Sequence, residues 1–205
     1  MKNYLIIGLT GQSGAGKTTV SKFFVENGFA AVDCDVIAKN VTKKGSDCCK
    51  ALQGYFPSCF SSELDLDRQA LAEIVFSDKN KLELLNNTIF PFIIEDIKTE
   101  IEILAAKGEK YIMLDAPTLF ESGLDKLCDC IVSCVAERDI RMSRIAQRDK
   151  ISRELIEKRF DSQKSEMFFK NHSDYTIENN EDESFAKKQC EEISKEIKRR
   201  LNGTK

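Results

Sequence analysis

Leu5-Ile6-Ile7-Gly8-Leu9-Thr10-Gly11-Gln12-Ser13-Gly14-Ala15-Gly16-Lys17-Thr18 is the stretch that decides how this 205-residue chain folds. Leu5 to Leu9 form a short apolar run, the pattern of a strand buried on both faces of a parallel sheet. Residues 11–18 then fit Gly-x-x-x-x-Gly-Lys-Thr in full. Val20, Phe23 and Phe24 follow at helical spacing, and Gly28 supplies a C-terminal stop. Strand, glycine loop and helix come in the order that a phosphate-binding loop requires. Glycines admit backbone conformations closed to other residues, so the amide N–H groups of Gly11, Ser13, Gly14, Ala15 and Gly16 can close around phosphate oxygens. The helix N-terminus adds partial positive charge. Lys17 then reaches the β- and γ-phosphates of a nucleotide, and Thr18 offers its hydroxyl to Mg²⁺.

The composition around this stretch is that of an ordinary globular chain. Four of the ten glycines (Gly8, Gly11, Gly14, Gly16) fall in the first sixteen residues, so glycine is concentrated where the loop needs it. Hydrophobic residues make up 41%, which excludes intrinsic disorder. The net charge of -3 argues against a nucleic-acid binder that relies on bulk charge. No apolar run approaches the ~18 residues of a membrane span, and the run at the N-terminus is too short for a signal peptide. The expectation is a cytoplasmic protein acting on small molecules, with no nucleic-acid or membrane partner, as a monomer or small homo-oligomer. The eight cysteines lie in apolar segments and read as reduced, buried side chains. Cys128, Cys130 and Cys134 read as lying on one strand, which spreads thiols apart rather than closing them around zinc.

Further along, Ala30-Ala31-Val32-Asp33 reads as a second strand. Residues 36–107 read as helical, with turns near Gly45, at 54–57 and at Phe90-Pro91. Tyr111-Ile112-Met113-Leu114-Asp115 is a third strand, 130–135 a fourth and Tyr175-Thr176-Ile177 a fifth. A charged helical stretch at 137–170 separates the last two, and an amphipathic helix at 184–201 closes the chain. Strands alternating with helices predict an α/β fold with a parallel five-stranded sheet. Its core would comprise 1–35, 108–136 and 171–205, with a helical insertion at about 36–107 and a lid at about 137–170.

Carboxylates at strand ends are the next candidates, because open parallel sheets bind ligands beyond the carboxyl ends of their strands. Asp33 and Asp35 flank Cys34 and would share one side if the chain stayed extended. Either could orient a substrate hydroxyl or take its proton, while Asp35 could equally cap a helix at 36–39. Asp115 is a candidate for holding Mg²⁺ near the phosphates, or a turn residue. Arg138, Arg141, Arg144 and Arg148 recur at helical spacing within an arc of roughly 120°. Such a stripe suits a lid over transferring phosphates, or a solvated face paired with Glu137, Asp139 and Asp149. None of the glycines has an Asp three residues before it, so the Asp-x-x-Gly segment of a Ras-type GTPase is absent.

Together these segments resemble the dephospho-coenzyme A kinase family, among the P-loop nucleoside and nucleotide kinases. The resemblance lies in residues 7–18, in Asp33-Cys34-Asp35-Val36-Ile37-Ala38 and in Leu66-Asp67-Arg68, with Val75-Phe76 and Leu85-Asn86. It continues in Pro117-Thr118-Leu119-Phe120-Glu121, in Arg144-x-x-x-Arg148-Asp149 with Gln163, and in residues 174–180. It implies a three-layer P-loop kinase fold and ATP-dependent phosphorylation of the ribose 3′-hydroxyl of dephospho-coenzyme A. By resemblance, Asp35 is the base or hydroxyl-orienting carboxylate, and Lys17, Arg144 and Arg148 stabilise the transferring group. Arg144 and Asn179 join the ATP site, and Asp33, Asp35, Leu119, Phe120 and Glu121 hold the acceptor. Gln12-Ser13, Phe90 and Thr118 depart from the usual Gly-Ile, His and Leu. The phosphate loop by itself also fits a kinase acting on another nucleoside or metabolite alcohol, or a nucleotide-binding regulator without transfer activity.

Overall fold

A computed structural model describes residues 2–202 of the chain. The opening apolar run forms β1 (Leu5–Gly11), buried from Ile6 onward. The other strands are β2 (Ala30–Asp33), β3 (Tyr111–Asp115), β4 (Cys130–Val135) and β5 (Tyr175–Glu178). They form one five-stranded sheet in the order β2-β3-β1-β4-β5. β1 pairs in parallel with β3, Ile7 opposite Met113, and with β4, Gly8 opposite Ile131, while β4 pairs in parallel with β5. A middle strand with parallel neighbours on both edges is covered on both faces, which is why β1 is apolar from Leu5 to Leu9. The α/β class and the five strands are as expected from the sequence.

Two helices cover one face of the sheet: α1 (Lys17–Glu26) and α9 (Glu183–Asn202). Val20, Phe23 and Phe24 of α1 and Cys190, Ile193 and Ile197 of α9 share a core with Ile7, Leu9, Val132 and Cys134. The even positions of β4 are therefore core residues. β4 begins only at Cys130, because Cys128 ends a 3₁₀ turn (Leu124–Leu127) and Asp129 turns its carboxylate to the Ile6 amide at 2.7 Å. Burial pushes the thiols of Cys130, Cys134 and Cys190 up to about 12, so they stay protonated and unreactive. Among the described residues no group of three His, Cys, Asp or Glu is placed to hold a metal ion, and no helix is long and apolar enough to cross a membrane.

The chain divides into two compact units, one holding residues up to Val32 and from Leu104 onward, the other Asp33–Ile103. The second unit contains α2 (Cys34–Val41), α3 (Asp47–Tyr55), α4 (Arg68–Phe76) and most of α5 (Lys79–Ala106). Side-chain caps mark its helix starts: Asp33 accepts from Val36 N–H, Ser46 from Cys49 N–H, and Asp67 from Gln69 and Ala70 N–H. Arg68 joins the start of α4 to the end of α2 through Thr42 Oγ1 at 2.6 Å.

Two local expectations change here. The chain does not stay extended through Asp35: the strand stops at Asp33, which is itself the cap, and Asp35 lies in the first turn of α2. Phe90-Pro91 is not a turn, because Pro91 sits inside the 28-residue α5. A helical proline forfeits the bond to the carbonyl four residues back, here Asn87, and both residues are exposed, so water can satisfy that carbonyl.

Candidate functional site

The glycine loop joins β1 to α1, and two of its glycines are required by geometry. Gly14 has φ +81°, and a Cβ there would come within 2.7 Å of the Arg141 carbonyl. Gly16 has φ +95°, and a Cβ there would fall on Asn179 Nδ2. L-residues rarely adopt either backbone, and neither position has room for a side chain. Gly16 also begins α1 with no side-chain cap and no acid in the first turn. The starts of α2, α3, α4, α7 (Arg153–Asp161) and α8 (Glu166–Asn171) are each closed by an Asp or Ser side chain. At α1 the dipole and first-turn amides are left for an anion.

The loop is held from behind. The Ala15 carbonyl accepts from Asn179 Nδ2 at 2.7 Å, Cys134 Sγ at 3.2 Å and Arg144 Nη1 at 3.4 Å. In a trans peptide, C=O and N–H point in opposite directions. Drawing this carbonyl outward therefore aims the Gly16 N–H into the cradle. Asn179 is 7% exposed, and its own N–H continues the β5 register onto the Val135 carbonyl at 2.9 Å. Arg144 Nη1 also donates to the Asn179 carbonyl at 3.0 Å. On the other side of the loop, Ser13 N–H donates to Gln163 Oε1 at 3.1 Å and Ala15 N–H to the Gln12 carbonyl at 3.0 Å, so these two amides, expected at the phosphates, are taken up within the protein.

Lys17 Nζ is ion-paired with Asp115 at the end of β3, each side chain 18% exposed. The sheet thus brings together two residues 98 positions apart that were both expected at the phosphates. Thr18 is exposed in the first turn of α1. A hydroxyl and a carboxylate are hard oxygen donors that suit Mg²⁺, which binds few protein ligands and keeps phosphates and water as the rest.

The arginine stripe lies on α6 (Arg138–Asp149), but its four members do different work. The guanidinium carbons of Arg138 and Arg141 lie 4.9 and 4.3 Å from the centre of the Phe160 ring. Arg141 is 6% exposed, its Nε has no hydrogen-bond partner among the described residues, and burial, then Arg138, lowers its pKa. Arg144 is on the loop. Arg148 forks onto Asp149 at 2.7 and 3.0 Å, and Arg159 of α7 reaches the same carboxylate at 2.6 Å. These two cations hold the Asp149 carboxyl well below its ordinary range, Arg148 foremost. Of the stripe, Arg144 is therefore the member hydrogen-bonded to the phosphate loop.

The expected acceptor residues fall in two places. Asp33 and Asp35 lie in the second unit, both exposed, and Asp33 gives one oxygen to its cap. In the turn after β3, Leu119 is fully buried over Gly8, Phe120 is half-buried and Glu121 is exposed. Phe120 meets Phe168 edge to face, ring centres 5.1 Å apart, and Phe168 stacks on His172 at 4.0 Å. The roles of Cys134 and Phe160 at this site, and of Arg159 on Asp149, had no sequence signal of their own. They depend on which elements the fold makes neighbours.

Comparison with known proteins agrees with this geometry. Residues 5–184 match the family model for dephospho-CoA kinase. A Fusobacterium nucleatum dephospho-CoA kinase is 42% identical over 181 residues, covering 86% of this chain and 90% of that protein. The Arabidopsis thaliana dephospho-CoA kinase is 35% identical over 201 residues, covering 96% of this chain and 85% of that protein. The solved structure of dephospho-CoA kinase from Campylobacter jejuni superposes with a TM-score of 0.69 at 27% identity, covering 96% of this chain and 98% of that one. With its phosphate loop, parallel sheet and arginine-bearing α6 in place, the chain belongs to the dephospho-CoA kinase family.

Proposed function

We propose that this enzyme transfers the γ-phosphoryl group of ATP to the ribose 3′-hydroxyl of dephospho-CoA, releasing ADP and CoA in the last step of CoA synthesis, in the cytoplasm. The observation that carries the reading is the start of α1, left uncapped beneath a glycine loop whose Ala15 carbonyl is drawn away from the cradle. The amides of Gly14 and Gly16 bind the phosphate oxygens, and Lys17 turns from Asp115 to the β- and γ-phosphates. Arg144, already held beside the loop, and Arg148 meet the charge that develops on the transferring group. Thr18 and Asp115 are the residues that would hold Mg²⁺, which when bound with ATP neutralises phosphate charge. Asp35 orients the acceptor hydroxyl and takes its proton. Asp33, Phe120 and Glu121 contact the acceptor, whose pantetheine arm lies on the helical insertion at about 36–107. The α6–α8 segment acts as a lid that excludes water, the competing acceptor.

The test is ADP release from Mg·ATP with dephospho-CoA, adenosine and other nucleosides offered in turn. Stimulation by dephospho-CoA is expected. Stimulation by another alcohol alone would replace the acceptor. A general base contributes about 10²–10⁴ in rate, so Asp35→Asn should lower kcat by about 10² or more while ATP still binds. Near-normal turnover in that variant would remove Asp35 as the base.

A further inference from the structure

Gln163 lies between α7 and α8, and the sequence placed it in a family signature without a role of its own. Its oxygen accepts the Ser13 N–H at 3.1 Å. A backbone N–H can be answered only by the oxygen of the amide, so the orientation of this side chain follows from chemistry.

Both ends of the contact are fixed. Gln163 N–H donates to the Phe160 carbonyl at 3.1 Å, and the Ser162 hydroxyl to the Arg159 carbonyl at 2.9 Å. Phe160 is buried in a small cluster with Ile145 and Ile156, beneath the guanidinium groups of Arg138 and Arg141. The packing of α6 on α7 and the backbone bond to Phe160 therefore fix where Gln163 leaves α7. On the loop side, the peptide that carries the Ser13 N–H also carries the Gln12 carbonyl, which accepts from Ala15 N–H at 3.0 Å. The Gln12–Ser13 peptide plane is held from both sides, by Gln163 on one and by the turn to Ala15 on the other. Charge matters as well. A glutamate could accept the same bond, but it would set a negative charge on the loop that meets a polyphosphate.

We propose that Gln163 is a positioning residue for phosphoryl transfer. It latches the α6–α8 segment to the phosphate loop, so that the loop keeps its transfer geometry only while that segment is docked. The inference deepens the proposed function and rests on the loop's being the ATP site. With the latch gone, water gains access to the γ-phosphorus. Its oxygen bonds to that phosphorus, the bond to the β–γ bridging oxygen breaks, ADP and inorganic phosphate leave, and the water proton passes to solvent.

Two variants of the full chain test this. Gln163→Leu removes the acceptor at similar size, and Gln163→Glu keeps the acceptor and adds the charge. The measurements are kcat, KM for each substrate, ADP released per CoA formed, and ATP affinity by equilibrium dialysis without acceptor. One hydrogen bond at this position predicts a fall in kcat of about 3- to 10-fold for Gln163→Leu, with KM for dephospho-CoA unchanged. The ratio of ADP to CoA should rise in that variant and return toward the wild-type value in Gln163→Glu. The added charge should weaken ATP binding by about tenfold in Gln163→Glu. A wild-type ADP to CoA ratio in Gln163→Leu, or wild-type ATP affinity in Gln163→Glu, would overturn the proposal. If Gln163→Leu does not fold, the Gln163→Glu arm still decides. The dialysis needs no acceptor, so a wrong acceptor would show separately, as absence of CoA from the wild-type enzyme.

Discussion

Gly16→Ala is the perturbation whose cost can be worked most fully from the structure. The backbone there has φ +95°, and an alanine in the left-handed region costs about 1–2 kcal/mol. The new Cβ would also fall on Asn179 Nδ2 and push that amide off the Ala15 carbonyl, a hydrogen bond worth about 1 kcal/mol. The sum is about 2–3 kcal/mol, which in a chain of this size lowers Tm by roughly 4–12 °C. Asn179→Ala alone leaves Cys134 and Arg144 on the carbonyl and should cost about 1 kcal/mol. In the double variant nothing occupies the place of the new Cβ, so only the backbone penalty and the single lost bond remain. The double variant should then be less destabilised than the sum of the singles by about 1 kcal/mol. Urea unfolding followed by circular dichroism reads all four corners of the cycle. Strict additivity would mean that the amide is not what forbids a side chain at Gly16. A Gly16→Ala protein as stable as the wild type would refute the whole account.

Two further outcomes concern titration. The Asp149 carboxyl is held below its ordinary value by Arg148 and Arg159, so the folded state binds its proton less readily than the unfolded chain. Its contribution is then complete above about pH 4 and is lost as pH falls below that, and the gap in urea midpoint between wild type and Asp149→Asn should close on acidification. A gap that stays constant from neutral pH to about pH 3 would exclude the clamp. The thiols run the other way. Cys130, Cys134 and Cys190 are raised to about 12, so the folded state keeps protons that the unfolded chain gives up from about pH 9. Stability should therefore decline as pH rises above about 9, and less steeply in Cys190→Ala. A thiol-specific disulfide reagent at about pH 8 should react first with the half-buried Cys128 and with the seven buried cysteines only on unfolding. Prompt reaction of several thiols would contradict the packing.

What could be read in advance was whatever local chemistry decides. The strand, glycine loop and α1 needed only apolar periodicity and the turn requirements of glycine, and they appear as expected. Asp33 and Asp35 were harder, because extended and helical backbones both suit Asp-Cys-Asp. The choice fell to a side-chain cap that the Val36 amide could find only once the strand ended. Pro91 misled for the opposite reason. Its local preference for a turn is real, but a long helix with an exposed carbonyl at Asn87 tolerates it. The arginine spacing correctly gave one helix face and could not say what each arginine touches. Asp149 is Arg148's own neighbour on α6, but Phe160, Arg159 and the Ala15 carbonyl belong to other elements, and only packing brings them to Arg141, Asp149 and Arg144.

This division of labour also shows what orients the peptides of a loop of small residues. Two of its peptide planes are set by groups outside it, Ala15–Gly16 by Asn179, Cys134 and Arg144, and Gln12–Ser13 by Gln163. Asn179 and Cys134 come from the sheet, which does not move as a lid would, whereas Arg144 and Gln163 come from the α6–α8 segment. The sheet-borne contacts include the shortest, 2.7 Å from Asn179, and the contact from Arg144 is the longest at 3.4 Å. Hydrogen bonds weaken with length, so the plane beneath Gly16 should stay in place if the segment swings away, while the plane at Ser13 loses the Gln163 acceptor. Phosphate binding and phosphoryl transfer then depend on different planes. Asn179→Ala should weaken nucleotide affinity directly, and the neutral Gln163→Leu should act mainly on turnover. If the two variants instead changed affinity and turnover in the same proportion, the loop would have to move as one body.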